Sequence, residues 1–283
     1  MANFVKRIGF KLLLRSPVHS RHAEPSMLFF VEPDDPSKPS PDLIELALVS
    51  RCISSRMAHS LAFAAISCIS PLGNLCNEIL VGIHAAQQID LSEVSARIET
   101  GIKYPDIWPG EHYKLLAGLV SVLQPRHIVE IGTATGSSAL CLKRFQPEGG
   151  RLATFDVIPW RQYPATVLTE ADFADGTLVQ YVDDISQPAQ LAKHKALLAE
   201  ADFIFIDAAK DGRQEQLFLN NFETIEFKHA PILLLDDIRL WNMLRIWNDI
   251  KRSKLDLTSF GHWSGIGLVQ WGGSLNWPDR PSQ

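Results

Sequence analysis

Cysteine is scarce in this chain: four in 283 residues, at Cys52, Cys68, Cys76 and Cys141, with no Cys-x-x-Cys pair among them. They offer no disulfide framework of the secreted kind and are expected as buried thiols in a reducing cytoplasm. Excess positive charge is missing too. Against 27 lysines and arginines stand 32 acids, for a net charge of −5, so nothing global attracts a nucleic acid. An uninterrupted membrane span is also lacking. The apolar stretch 57–69 is short for one, and His59, Ser60 and Ser67 break it, which predicts a buried helix. No internal repeat or low-complexity tract is present.

What is present centres on His127-Ile128-Val129-Glu130-Ile131-Gly132-Thr133-Ala134-Thr135-Gly136. It reads as a short buried strand that ends in an acid and turns through two glycines. Ser137-Ser138-Ala139-Leu140-Cys141-Leu142 continues it with helix-compatible composition. That order puts backbone N–H groups and a helix N-terminus at the carboxyl end of a strand, where open α/β sheets bind nucleotide-like ligands. Without a Cβ, Gly132 and Gly136 permit a tight turn and close approach of a ligand. The turn lacks the Gly-x-Gly-x-x-Gly series of nicotinamide-cofactor sites, and no phosphate-loop lysine with Ser/Thr follows it.

Strand and helix then alternate. Residues 151–156, 178–182, 203–206 and 231–235 read as strands, each ending at acids: Asp156, Asp183 and Asp184, Asp207, and Asp236 and Asp237. Continuous apolar runs such as Phe203-Ile204-Phe205-Ile206 predict strands covered on both faces, the habit of parallel sheets. Between them, Leu191, Leu197 and Leu198 predict one helix face, Phe218, Phe222 and Ile225 a second, and Leu240, Leu244 and Trp247 a third. The pattern predicts a doubly wound α/β sheet with carboxylates gathered on one rim.

These residues resemble class I S-adenosylmethionine-dependent methyltransferases, and within them the metal-dependent O-methyltransferases of catechol, caffeoyl-CoA and sugar type. The resemblance covers roughly residues 110–272. Glu130-x-Gly132-x-x-x-Gly136 matches the glycine motif, and Asp156 the acid that binds ribose hydroxyls. Asp207-Ala208-Ala209-Lys210 resembles an Asp-Ala-Asp-Lys segment, with Ala209 where the family has an acid. Leu235-Asp236-Asp237-Ile238-Arg239-Leu240-Trp241 resembles an Asp-Asn-x-x-Trp segment, with Asp237 where the family usually has Asn. The resemblance implies a Rossmann-like, doubly wound seven-stranded sheet whose last strand, around Gly265-Ile266-Gly267-Leu268-Val269-Gln270-Trp271, is antiparallel.

It further implies a donor site for S-adenosylmethionine at Glu130, Gly132, Gly136, Ser138, Asp156 and Asp184, and a Mg²⁺ site at Asp207, Asp236 and Asp237. The acceptor is expected to be a hydroxyl of a small molecule, a sugar or other natural product in preference to a catechol. Asp207, Lys210 and His262 are the expected catalytic residues. Lys210 would serve as base if burial and a cation depress its pKa, with His262 as the second candidate. Plainer roles stay open. Asp237 would suit a helix N-cap, Lys210 a solvated helix start, His262 a loop and Trp160 or Trp241 ordinary core. A protein that keeps the fold and binds the donor without catalysis is the alternative that Ala209 motivates.

Residues 1–40 are expected to form a basic amphipathic segment and a linker, residues 41–109 a helical extension, and residues 110–283 the methyltransferase domain. Before Glu24 the chain carries Lys6, Arg7, Lys11, Arg15 and Arg21 among apolar residues, without a secretory cleavage pattern. Residues 1–23 therefore suit weak contact with an anionic membrane surface, or a helix packed on the body or on a partner. The resemblance suggests that the helical extension covers the active site and builds a homodimer. Tyr104-Pro105-Asp106-Ile107-Trp108-Pro109-Gly110 is expected near the donor's methionine end.

Overall fold

Ile128, Val129 and Ile131 pair in parallel with Leu152, Ala153 and Phe155 on one side and with Phe203, Ile204 and Ile206 on the other. This computed structural model describes Phe10–Leu13, Leu28–Val31 and residues 74–272. In chain order the elements are β1 (Phe10–Leu13), β2 (Leu28–Val31), α1 (Asn74–Ala86), α2 (Ser92–Ala96), α3 (Tyr113–Leu123), β3 (His127–Ile131), α4 (Ser137–Phe145), β4 (Arg151–Asp156), α5 (Glu170–Phe173) and β5 (Leu178–Val182). They continue through α6 (Pro188–Ala199), β6 (Phe203–Ile206), α7 (Gln214–Phe222), β7 (Ile232–Asp236), α8 (Trp241–Asp249), β8 (Lys254–Asp256) and β9 (Ile266–Gln270).

Seven strands form one sheet in the order β5-β4-β3-β6-β7-β9-β8. The pairs from β5 to β7 are parallel, and β9 runs antiparallel to both β7 and β8. This is the expected Rossmann-like sheet with an antiparallel last strand. Chain order reverses between β3 and β6, so their carboxyl ends flank the switch point where such sheets bind ligands.

Alternation along each strand explains the two-sided core. Phe203, Phe205, Ile232 and Leu234 face one layer with Leu115, Leu116 and Leu119 of α3 and Leu140 of α4. Ile204, Ile206, Leu233 and Leu235 face the other with Leu191, Phe218, Phe222 and Trp247. A strand with period two that is covered twice must be apolar at every position, and β6 is buried throughout. Cys141 lies in the first layer, buried as expected. Leu75, Ile79 and Ile83 of α1, with Leu91 and Val94 around α2, join that same layer.

Three details differ from the sequence reading. The helix after β7 buries Met243, Ile246, Trp247 and Ile250, while Leu244 is exposed and Leu240 only partly buried. Met243, Ile246, Trp247 and Ile250 follow the i, i+3, i+4, i+7 rule, and Leu244 falls one residue off that stripe. Strand β8 was not foreseen, because it has three residues and two of them are charged. Buried Lys254 is satisfied by the carbonyls of Trp247 and Ile250, and Asp256 by Arg239. Near the N-terminus, Phe10–Leu13 pairs with Leu28–Val31 as antiparallel strands, so those residues of the basic segment are strand and not helix. The rest of residues 1–23, the linker around residues 33–41 and the apolar stretch 57–69 lie outside the described residues. Among the described residues no helix is long and apolar enough to cross a membrane.

Candidate active site at the carboxyl edge of the sheet

The glycine turn after β3 is held by two neighbours. A Cβ on Gly132 would stand 1.9 Å from the Asp207 carbonyl oxygen, and its φ is +102°. One on Gly136 would stand 2.2 Å from Leu168 Cγ, with φ +85°. Both glycines are thus demanded by protein atoms at close approach, as well as by the turn itself. Asp156, at the end of β4, accepts the backbone N–H of Ala134 at 2.9 Å on one oxygen and that of Ile158 at 3.0 Å on the other. The Asp156 carboxylate at the end of β4 therefore ties down the turn that follows β3.

Glu130 lies beneath this turn, fully buried. The Thr154 hydroxyl donates to its Oε2 at 2.6 Å, while Oε1 has no hydrogen-bond partner among the described residues. Burial pushes the Glu130 carboxyl up to about 7, only partly offset by the Ser138 and Thr154 hydroxyls. Its folded pKa exceeds the ordinary value of 4.5, so the folded state binds more protons across that window. Stability should fall as pH rises from about 4.5 to about 7. Glu130→Gln keeps the shape without the charge. Urea unfolding of the variant at about pH 5 and about pH 8 should lack this slope, a change of up to about 3 kcal/mol. An unchanged slope would place the titrating group elsewhere.

Glu130, Ser138, Asp156 and the two glycines are thus brought together. Asp184 stands one strand further out, after β5, where it accepts from the Ser186 backbone and the Gln187 and Gln214 side chains. It shares no hydrogen bond with the other five among the described residues. Trp160 is core, stacked on Phe173 at 5.1 Å, and the side chain of Trp241 lies outside the described residues.

The second half of the site forms where β6 and β7 end. Asp207, Asp236 and Asp237 bring carboxylate oxygens within 4.8 Å of one another. Lys210 Nζ reaches Asp207 at 2.9 Å and Asp236 at 3.4 Å, and also contacts Asp237. Despite desolvation, these carboxylates push the lysine's pKa up. That direction is opposite to what a neutral lysine base needs. Lys210 and Asp237 both have left-handed backbones, with φ +59° and +58°. Buried Glu215 fixes the first of these turns by accepting the N–H groups of Lys210 and Gly212 at 2.5 and 3.0 Å.

His262, from the loop before β9, pairs through Nε2 with Asp236 Oδ1 at 2.6 Å and through Nδ1 with the Ser264 hydroxyl at 2.6 Å. Burial would lower its pKa, but the Asp236 carboxylate raises it. In return, against burial, His112, His262 and Lys210 hold the Asp236 carboxyl below the ordinary carboxylate range. Asp207 moves the other way, raised by its own burial and by the charge of Asp236.

His112 was not singled out in the sequence, since a lone histidine before an apolar helix carries no spacing signal. It sits just before α3, fully buried, with Nδ1 3.8 Å from Asp236 Oδ1. Its ring lies against Tyr113, Phe205 and His262, and burial lowers its pKa to about 4. Ser264 and Glu215 were likewise missed, because their roles depend on loop geometry.

A family model described as O-methyltransferase matches residues 97–256. No curated protein matches the chain. Among solved structures, the S-adenosylhomocysteine-bound methyltransferase PaMTH1 of Podospora anserina is similar at 15% identity, over 69% of this chain and 88% of that one, with TM-score 0.45. An O-methyltransferase from Bacillus cereus in complex with S-adenosylhomocysteine is similar at 18% identity, over 66% and 90%, with TM-score 0.43. TomG of Streptomyces achromogenes, an O-methyltransferase involved in tomaymycin synthesis and solved with S-adenosylmethionine, is similar at 17% identity, over 78% and 100%, with TM-score 0.41. With the family model spanning more than half of its residues, the chain belongs to the O-methyltransferase family and is an S-adenosylmethionine-dependent methyltransferase.

Proposed function

We propose that this enzyme moves the methyl group of S-adenosylmethionine to a hydroxyl of a small molecule, a sugar or related natural product, with help from a divalent cation. The supporting observation is that a glycine turn tied to Asp156 and a carboxylate set tied to Lys210 meet at one sheet edge. Glu130, Gly132, Gly136, Ser138 and Asp156 line the donor's side, with Asp184 at the outer end of the same edge. Each Asp156 oxygen accepts one backbone N–H and keeps a lone pair for a ribose hydroxyl. The Asp236-Asp237 pair favours the sugar branch over the catechol branch.

Asp207, Asp236 and Asp237 would hold the cation, since their carboxylates are hard oxygen ligands of the kind Mg²⁺ takes. When bound, a divalent cation lowers the pKa of an acceptor hydroxyl and fixes its oxygen. The acceptor oxygen displaces sulfur in line: an O–C bond forms, the C–S pair returns to sulfur, and the hydroxyl proton leaves to solvent. The chain contributes alignment and charge. Lys210, held as an ammonium, steadies the developing oxyanion, and His262 orients Asp236. Lys210 is engaged by three carboxylates as an ammonium, so it offers no free lone pair.

Calorimetry with S-adenosylmethionine, then an acceptor screen by mass spectrometry with and without chelator, tests this reading. Donor binding and chelator-sensitive methylation of a hydroxyl are expected. Failure to bind the donor would end the proposal, and undiminished turnover in chelator would remove the cation from it. Lys210 separates charge from base: Lys210→Arg should stay within about tenfold of wild-type kcat, whereas Lys210→Met should lose on the order of 100-fold. Equal loss in both variants would make Lys210 a proton acceptor instead.

A further inference from the structure

We propose that the cation site is a mixed nitrogen–oxygen centre, in which His112 and His262 join Asp236, so that it takes Mn²⁺, Fe²⁺, Co²⁺ or Zn²⁺ in preference to Mg²⁺. The inference rests on the cation-assisted reading of the same site and names its additional ligands and metal class. Its starting point is His112, buried and clamped by Tyr113 and Phe205 at ring-centroid distances of 4.2 and 5.4 Å. Neither of its ring nitrogens has a hydrogen-bond partner among the described residues. A buried polar group left without a partner is costly, and a metal bond at a ring nitrogen relieves that cost.

The geometry agrees. His112 Nδ1 stands 3.8 Å from Asp236 Oδ1, too far for a hydrogen bond. Two donors on metal bonds of roughly 2.1 Å stand no more than about 4.2 Å apart, so this separation suits ligands of one ion. His262 Nε2 approaches the same oxygen at 2.6 Å, a contact that a shared ion would open slightly. The ligand atoms of His112, Asp236 and His262 all lie within 4.8 Å of one another. On the far side of His262, the Ser264 hydroxyl fixes Nδ1 at 2.6 Å, the kind of outer hydrogen bond that sets a ligating histidine's tautomer.

Charge divides the two sides of Asp236. Its carboxylate neighbours Asp207 and Asp237 already share the Lys210 ammonium as counter-cation. On the histidine side, two imidazoles present softer nitrogen donors. Mg²⁺ prefers all-oxygen shells, and nitrogen ligands move selectivity to the borderline transition ions.

The test uses the full chain, stripped with chelator and titrated by calorimetry with Mg²⁺, Mn²⁺ and Co²⁺. Co²⁺ should bind at least about tenfold tighter than Mg²⁺, and His112→Leu and His262→Gln should each weaken Co²⁺ on the order of tenfold or more while sparing Mg²⁺. Pulsed electron paramagnetic resonance of the Mn²⁺-loaded wild type should show directly coordinated ¹⁴N, whatever the variants do to folding. Cation binding without ¹⁴N coupling, or with Mg²⁺ the tighter ligand, overturns the mixed centre and leaves the carboxylate site standing. No binding of any cation overturns both.

Discussion

Asp236→Asn is expected to lower kcat/KM on the order of 10³-fold or more while leaving S-adenosylmethionine affinity within about threefold. Asp236 is where the functional side chains of the β6 and β7 ends converge: Oδ1 meets His262 and faces His112, and Oδ2 meets Lys210. The substitution keeps the volume and removes the charge that holds Lys210, orients His262 and would ligate a cation. No hydrogen bond joins Asp236 to Glu130 or Asp156 among the described residues, so the donor's side should be spared. Steady-state kinetics beside donor calorimetry separates the two effects. A variant with wild-type kcat/KM would mean that the chemistry happens elsewhere, and a parallel collapse in donor affinity would mean that the two halves of the edge are one unit.

The second large effect is on stability. Gly132→Ala should cost roughly 3 kcal/mol or more, because its methyl would overlap the Asp207 carbonyl and its backbone is left-handed. Gly149→Ala is the natural control. Gly149 also has positive φ, at +74°, but nothing lies within 4 Å of its Cβ position, so only the conformational penalty of about 1 kcal/mol applies. Urea midpoints for the two variants should therefore differ clearly. Equal losses would show that the turn tolerates displacement of β6, and the close contact would then carry no weight. Since Asp207 is the residue displaced, activity of Gly132→Ala should also fall more than its folded fraction does.

The central strands were legible because burial on both faces leaves no ambiguity. Phe203–Ile206 is apolar at each position and stops at an acid, and β4 and β5 begin and end where the sequence placed them. Short or charged elements were not legible. Lys254 and Asp256 carry charges that give no strand signal, yet each is buried because a helix end or an arginine satisfies it. The helix after β7 was recognised, but its buried stripe was read one position off at Leu244. At the site, the acids could be placed because they stand at the carboxyl ends of strands. His112 could not, since its link to Asp236 exists only once α3 has packed on the sheet. The pKa of Lys210 was equally beyond the sequence to judge: three carboxylates converge on it, and raise it, only in the folded chain.

The left-handed backbones at Ala134, Lys210 and Asp237 have a consequence for how this enzyme can change. Non-glycine residues held this way cost of order 1–3 kcal/mol each, and such positions recur where a chain trades firmness for reactivity. Glycine at 210 would relax the chain, yet it would leave Asp207, Asp236 and Asp237 without the ammonium that they share. Backbone ease and stability therefore pull in opposite directions at position 210, because buried carboxylates left unpaired cost more than the strain that glycine relieves.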